Sequence, residues 1–173
     1  MPSPCLNEIA GIENKLIVQI GCLAVSNHPK ALLTTYSLGS CLGVAIYDPV
    51  ARAGGLLHAM LPDSSINPAR AAERPGMFVD TGVAALFRAC YQLRADKRRL
   101  RICLAGGAQF MDKTNFFNIG LRNYQQCKDI LRQHGLPIAA EQVGGWVSRT
   151  IQLNIKTGEV RLKTSGQTSE LVL

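Results

Sequence analysis

The sequence predicts a single α/β or α+β domain. Three observations carry that prediction: an apolar share of 47% against 18% charged residues, a series of strand-length apolar runs, and two segments whose apolar residues recur at helical spacing. A chain of 173 residues can bury one sizeable core but would be cramped as two domains. The 16 glycines and 8 prolines suit a compact, turn-rich chain better than a coiled coil or a disordered one.

Taken in order, Leu16 to Val25 (LIVQIGCLAV) and Leu42 to Asp48 (LGVAIYD) are rich in β-branched and apolar residues and predict buried strands. Gly55 to Leu61 (GLLHAML) predicts a third. Asp48 and Pro49 mark a turn and Gly54 and Gly55 open the next run, so the second and third strands are expected as antiparallel neighbours. Between Pro75 and Ala95, the residues Val79, Val83, Leu86, Phe87, Cys90 and Leu93 recur every three or four positions, one face of an amphipathic helix. A basic cluster of Arg94, Lys97, Arg98, Arg99 and Arg101 follows, read as a solvated connection or a docking patch. It leads into a short strand, Ile102 to Ala105, closed by Gly106 and Gly107. Asn118 is placed to cap a second helix with Leu121, Tyr124, Cys127 and Leu131 on one face, stopped by Gly135 and Pro137. Ile138 to Val143 predicts a strand, and Arg149 to Ile155 with Val160 to Lys163 predicts a hairpin around Lys156 to Glu159. The tail 164–173 carries no predicted element, and there is no internal repeat.

The net charge of +7 favours an acidic partner without naming one. Nucleic-acid binding would rest only on that charge and the Arg94 to Arg101 cluster, without the aromatic stacking surface of single-strand binders, and none is expected. No apolar run approaches the roughly 20 residues of a membrane helix, and the N-terminus lacks a basic patch followed by an apolar core. The expectation is a cytoplasmic protein with no membrane insertion. In that compartment the six cysteines, Cys5, Cys22, Cys41, Cys90, Cys103 and Cys127, are expected mostly as thiols. No CxxC pair occurs and His28, His58 and His134 are scattered, so no metal site is predicted.

Of the cysteines, Cys41 is set apart. Thr34-Thr35-Tyr36-Ser37-Leu38-Gly39-Ser40-Cys41 places small, hydroxylated and glycine residues just before a buried strand, which leaves a thiol at the strand's edge. The alternative is that Cys41 merely begins the core strand, as Cys90 and Cys127 merely pack their helices. His58 interrupts an apolar run and reads alone as a core histidine, but the expected hairpin brings it towards Cys41, and thiol chemistry needs a neighbouring imidazole. His28 lies in a loop, and His134 sits in a last helical turn where its charge suits the helix dipole.

The strings LGSCLGVAIYDP (Leu38 to Pro49), GGLLHAMLP (Gly54 to Pro62), GGAQ (Gly106 to Gln109), NIGLRN (Asn118 to Asn123) and VGGWVSRT (Val143 to Thr150) together resemble the successive motifs of the CheD family, in order through most of the chain. The resemblance implies a sandwich of nested mixed β-sheets flanked by helices, one domain over 1–173 with its core at about 16–163. It implies a chemoreceptor glutamine deamidase with a Cys-His-Thr triad: Cys41 as nucleophile, His58 as base and Thr35 as third member, with Thr34 as the alternative one residue away. The implied reaction needs no cofactor. Backbone amides near Ser40 and Cys41 would stabilise the oxyanion, in a direction the sequence leaves open. The implied partners are methyl-accepting chemotaxis receptors, as substrate, and a CheC-type phosphatase of the response regulator CheY; a purely regulatory binding role and a receptor methylesterase side activity are alternatives. Two positions depart from the family pattern, Ser148 where glycine often precedes the Arg-Thr pair and Phe78 where tyrosine is common, and neither touches the triad.

Overall fold

The computed structural model describes residues 6–9, 14–109, 118–164 and 167–173. Its strands are β1 (Leu6–Ile9), β2 (Asn14–Val18), β3 (Cys22–Ser26), β4 (Ala31–Leu38), β5 (Leu42–Asp48), β6 (Ala53–Ala59), β7 (Arg101–Gly106), β8 (Ala140–Val143), β9 (Arg149–Asn154), β10 (Glu159–Thr164) and β11 (Gln167–Val172), and its helices are α1 (Pro68–Glu73), α2 (Val79–Gln92) and α3 (Ile119–Gln133). The strands form two mixed sheets, one ordered β1-β2-β4-β9-β10-β11 and one ordered β3-β6-β5-β7-β8, with a parallel pair in each, β2 with β4 and β7 with β8.

Side-chain alternation along β5 explains the layering. Leu42, Val44 and Ile46 face the helices, where they join Leu57, Val83, Leu86, Cys90, Cys127 and Leu131. Ala45 and Tyr47 face the other way, into a core shared with Leu33, Leu38, Ile151 and Leu153 of the six-stranded sheet. Every residue of β5 and β6 is buried, because each strand is covered on both sides. The molecule is therefore three layers, sheet on sheet on helices, and the nested-sheet architecture expected above is the one observed. Among the described residues no helix is long and apolar enough to cross a membrane.

The expected β5–β6 hairpin forms, with Tyr47 opposite Gly54 and Leu42 opposite Ala59. Four expectations change. Leu16 to Val25, expected as one strand, divides at Gly21 (φ +73°) into β2 and β3, which join different sheets. The Thr34–Ser37 stretch, given no element of its own above, is the second half of the eight-residue β4, whose Leu33 and Thr35 are buried against the other sheet. Asn118 does precede α3, yet in a left-handed conformation and without a side-chain cap. The tail contributes β11, antiparallel to β10.

The basic cluster proves to be partly structural. Asp48, wholly buried at the end of β5, accepts from the N–H groups of Val50, Ala51 and Asp96 and pairs with Arg99 at 2.8 Å. Burial alone raises its carboxyl, but those hydrogen bonds, Arg99's foremost, hold it at about 2. Arg98 bonds Asp96 at the surface, its one side-chain partner among the described residues. Arg99→Ala leaves the Asp48 carboxylate buried beside backbone donors alone and is expected to lower the thermal midpoint by several degrees. Arg98→Ala is expected to leave it unchanged, and thermal denaturation of the two variants side by side checks this.

Candidate active site

Three elements converge where the sheets face each other. His58 is the penultimate residue of β6 and stands opposite Gly43 on β5 and Cys22 on β3. Its ring shares the face of Leu56, turned towards the six-stranded sheet, where Thr35 on β4 meets it. Cys41 precedes β5 and lies two residues before Gly43, so it occupies the same face and is the diagonal neighbour of His58, at a Cα separation of about 7–8 Å for that relation. At Gly43 the end of the Leu38 side chain fills the space a Cβ would take, with Leu38 Cδ1 2.7 Å away, so a larger residue there would require Leu38 to shift.

The Thr35–His58 contact assigns a proton. Thr35 Oγ1 lies 2.6 Å from the carbonyl oxygen of Val18 and 2.6 Å from His58 Nδ1. A carbonyl can only accept, so the single hydroxyl proton goes to Val18, and the hydroxyl must then accept from Nδ1–H. The neutral ring thus carries its proton on Nδ1 and leaves Nε2 as a bare lone pair. Nε2 is buried and has no partner among the described residues, the state of a base waiting for a proton. Burial pushes the imidazole down to about 4, so the ring is neutral at neutral pH. Thr34, the alternative third member, points off the site, and its hydroxyl is buried without a partner among the described residues.

The loop that carries Cys41 is held by its carbonyls. Those of Gly39, Ser40 and Cys41 accept in turn from Ala108 N (2.8 Å), Asn123 Nδ2 (2.9 Å) and Gly107 N (2.8 Å). Gly106 (φ +97°) lies so close beneath that a Cβ would collide with the Cys41 carbonyl. The amide N–H of Ser40 has no acceptor among the described residues, and that of Cys41 meets only its own sulfur. Burial pushes the Cys41 thiol up, while its own backbone N–H pulls it down. Both groups are consequently neutral at rest, a thiol and an imidazole on one face of the sheet and not a preformed thiolate–imidazolium pair.

Beside His58 a cavity of about 450 Å³ opens to solvent, lined by Gln19, Ile20, Thr35, Tyr36, His58 and Arg74 among others. Cys90, Cys103 and Cys127 are wholly buried, and burial pushes each thiol up to about 12. Cys22, opposite His58, is disulfide-bonded, while Cys41, Cys90, Cys103 and Cys127 are free, so the cysteines are mostly thiols as expected; Cys5 lies outside the described residues. His28 and His134 are exposed and distant from the three-residue cluster. Among the described residues no group of three or more His, Cys, Asp or Glu side chains could hold a metal ion. Sequence reasoning missed Gly43, Asn123 and the Val18 carbonyl. Only Asn123 carried a signal, as the last residue of the NIGLRN string.

A family model described as CheD chemotactic sensory transduction matches residues 60–164. The chain is 48% identical over 151 residues to the "Probable chemoreceptor glutamine deamidase CheD 1" of Syntrophus aciditrophicus, covering 87% of this chain and 94% of that one. It is 46% identical to the equivalent protein of Solibacter usitatus (91% and 94% covered) and 42% identical to that of the archaeon Pyrococcus horikoshii (90% and 96%). Among solved structures, the hypothetical protein YfiH of Bacillus licheniformis overlays with a TM-score of 0.43 at 14% identity, over 69% of this chain and 49% of that one.

Two outcomes follow from the geometry. Under native conditions Cys41 is expected to react with iodoacetamide well ahead of Cys90, Cys103 and Cys127, as read by peptide mapping; equal labelling of all four would contradict the burial described. Because the His58 ring is held near 4 when folded but titrates near 6.5 when unfolded, the folded state is fully stable above pH 6.5 and weakens as pH falls towards 4, by up to about 3 kcal/mol. His58→Gln, which cannot be protonated there, is expected to flatten that pH dependence in chemical denaturation.

Proposed function

The chain belongs to the CheD family of chemotactic sensory transduction, and on that premise we propose that it deamidates glutamine side chains of chemoreceptors, with Cys41 as nucleophile, His58 as general base and acid, and Thr35 as the residue that orients His58. The observation that carries this reading is the Thr35 hydroxyl held between Val18 and His58, which leaves Nε2 unprotonated on the face that Cys41 shares.

The chemistry proceeds in two halves. As the substrate carboxamide settles against Cys41, Nε2 takes the thiol proton while Sγ bonds to the carboxamide carbon, and the carbonyl π electrons move onto oxygen. The N–H groups of Ser40, without an acceptor among the described residues, and of Cys41, turned only to its own sulfur, are the donors for that oxyanion. When the tetrahedral intermediate collapses, the C–N bond breaks and His58 returns the proton to nitrogen, so ammonia leaves and a thioester remains. Water then repeats the sequence: His58 takes its proton, the C–S bond breaks, and the sulfur recovers the proton as glutamate is released. A methyl ester presents the same acyl centre, so receptor methylesterase activity would use the same groups. A role confined to binding, for instance to a CheC-type phosphatase, would make no use of the orphaned Nε2.

Incubation with a receptor cytoplasmic fragment is expected to raise the mass of specific glutamine peptides by about 1 Da, the amide-to-acid change of acyl transfer to water. Cys41→Ala should abolish the conversion, by at least about 10⁴-fold. A fully active Cys41→Ala protein would end the proposal. Thr35→Ala should cost about 10²-fold, less than His58→Ala, because a neutral hydroxyl orients the ring without adding charge; Thr35→Ser should recover much of it, and Thr34→Ala should be silent. The acid limb of kcat/KM is expected near pH 4, where the His58 ring is protonated, and not near 6.5.

A further inference from the structure

Asn123, in the first half of α3, is wholly buried. Its amide nitrogen donates to the Ser40 carbonyl at 2.9 Å and to the Met60 carbonyl at 3.0 Å. One of these carbonyls belongs to the peptide that enters Cys41, the other to the second residue after His58. The β5–β6 ladder ends at the pair Leu42 and Ala59, so Cys41 and Met60 are the next positions, where no ladder bond is left to hold the strands together. A single side chain thus spans the end of the hairpin that carries both Cys41 and His58. Its Oδ1, meanwhile, is buried with no partner among the described residues. A position kept only for packing would avoid an orphaned acceptor. This one retains an amide for its two donor hydrogens.

The direction of the Ser40 carbonyl has a consequence for the next N–H. No peptide bond in the described chain is cis, and in a trans peptide the C=O and the following N–H point opposite ways. Asn123 draws the Ser40 carbonyl towards α3, which packs on the helix side of the five-stranded sheet through Cys127 and Leu131. The N–H of Cys41 therefore points to the other side, where the Cys41 side chain packs against the inter-sheet core. The influence of that N–H on its own thiol agrees with this placement.

We propose that Asn123 is a positioning residue for acyl transfer: by fixing the Ser40–Cys41 peptide it aims the Cys41 N–H at the oxygen of the tetrahedral intermediate, and by bridging to Met60 it keeps that peptide in register with the His58 strand. Gly39 and Cys41 have their own carbonyls tied by Ala108 and Gly107, so Asn123 holds the one peptide of the loop that the main chain does not. The inference rests on the reading of Cys41 as an acyl-forming nucleophile.

Two reagents separate this role from simple support of the fold. p-Nitrophenyl acetate acylates a thiol through a tetrahedral oxyanion: an S–C bond forms, the C–O bond breaks and nitrophenolate leaves. Iodoacetamide alkylates the same thiol by displacing iodide at a saturated carbon and builds no oxyanion. Asn123→Ala is expected to slow acylation of Cys41 by about 10–10²-fold, below the 10²–10³ of deleting an oxyanion donor outright, while the pH-independent alkylation rate of the Cys41 thiolate changes less than about threefold. Asn123→Leu, uncharged and similar in volume, replaces it should the alanine variant fail to fold, and Cys127→Ala on the same helix should leave both rates unchanged. Equal loss of both reactions, or unchanged acylation, overturns the inference. If the unmutated protein is not acylated at Cys41, the nucleophile reading itself fails, an outcome seen before any variant is compared.

Discussion

A single hydroxyl proton organises the site. Thr35 stands on the six-stranded sheet, His58 on the five-stranded one, and the Val18 carbonyl on the strand beside Thr35, so the chain Val18–Thr35–His58 is a polar bond across an otherwise apolar layer. Its directionality matters more than its strength. Because the carbonyl cannot donate, every later proton position is dictated: Nδ1 keeps its hydrogen, Nε2 stays bare, and the bare nitrogen shares a face with the thiol. The bond also needs the sheets at one fixed spacing. Leu38 packs into the space above Gly43 between the sheets, and a methyl group at residue 43 would require the end of that side chain to shift.

Much of this was legible in the chain, and the rest was hidden for identifiable reasons. β5, β6 and the faces of α2 and α3 could be read because their burial is periodic or complete. β4 was not legible, although Thr34, Thr35 and Tyr36 are strand-forming types, because its hydroxyls interrupt the apolar run; pairing with β2 and β9 makes the segment a strand. The split of Leu16 to Val25 at Gly21 was hidden for a related reason: an apolar run says that a strand is buried but not in which sheet. For the site, the types Cys, His and Thr were readable through family resemblance. The Asn123 clamp and the Gly43 clearance depend on which backbone atoms face each other across the fold, and no local spacing encodes that.

The neutral resting pair bears on why the third residue is a threonine. An aspartate at position 35 would have to be buried completely, among Leu33, Leu38 and Ile151, at a desolvation cost that only a charged ring could offset. It would thereby raise the His58 imidazole towards the charged form and occupy Nε2 with a proton at neutral pH. The threonine orients the ring at no such cost and leaves it uncharged.

A base near 4 facing a thiol raised by burial cannot move a proton spontaneously to any useful extent at neutral pH. In the proposed reaction the transfer becomes favourable only as the sulfur–carbon bond forms and the negative charge passes from sulfur to an oxygen held by the N–H groups of Ser40 and Cys41. On that reading the electrostatic help for the reaction is stored in the backbone of the Cys41 loop and not in a standing ion pair, so a bound carboxamide is needed to use it. Such a thiol stays protonated towards adventitious electrophiles and oxidants while no substrate is present. On the same reading the orientation of one peptide, Ser40–Cys41, matters for turnover alongside the base, which gives the two carbonyl bonds of the buried Asn123 a purpose beyond packing.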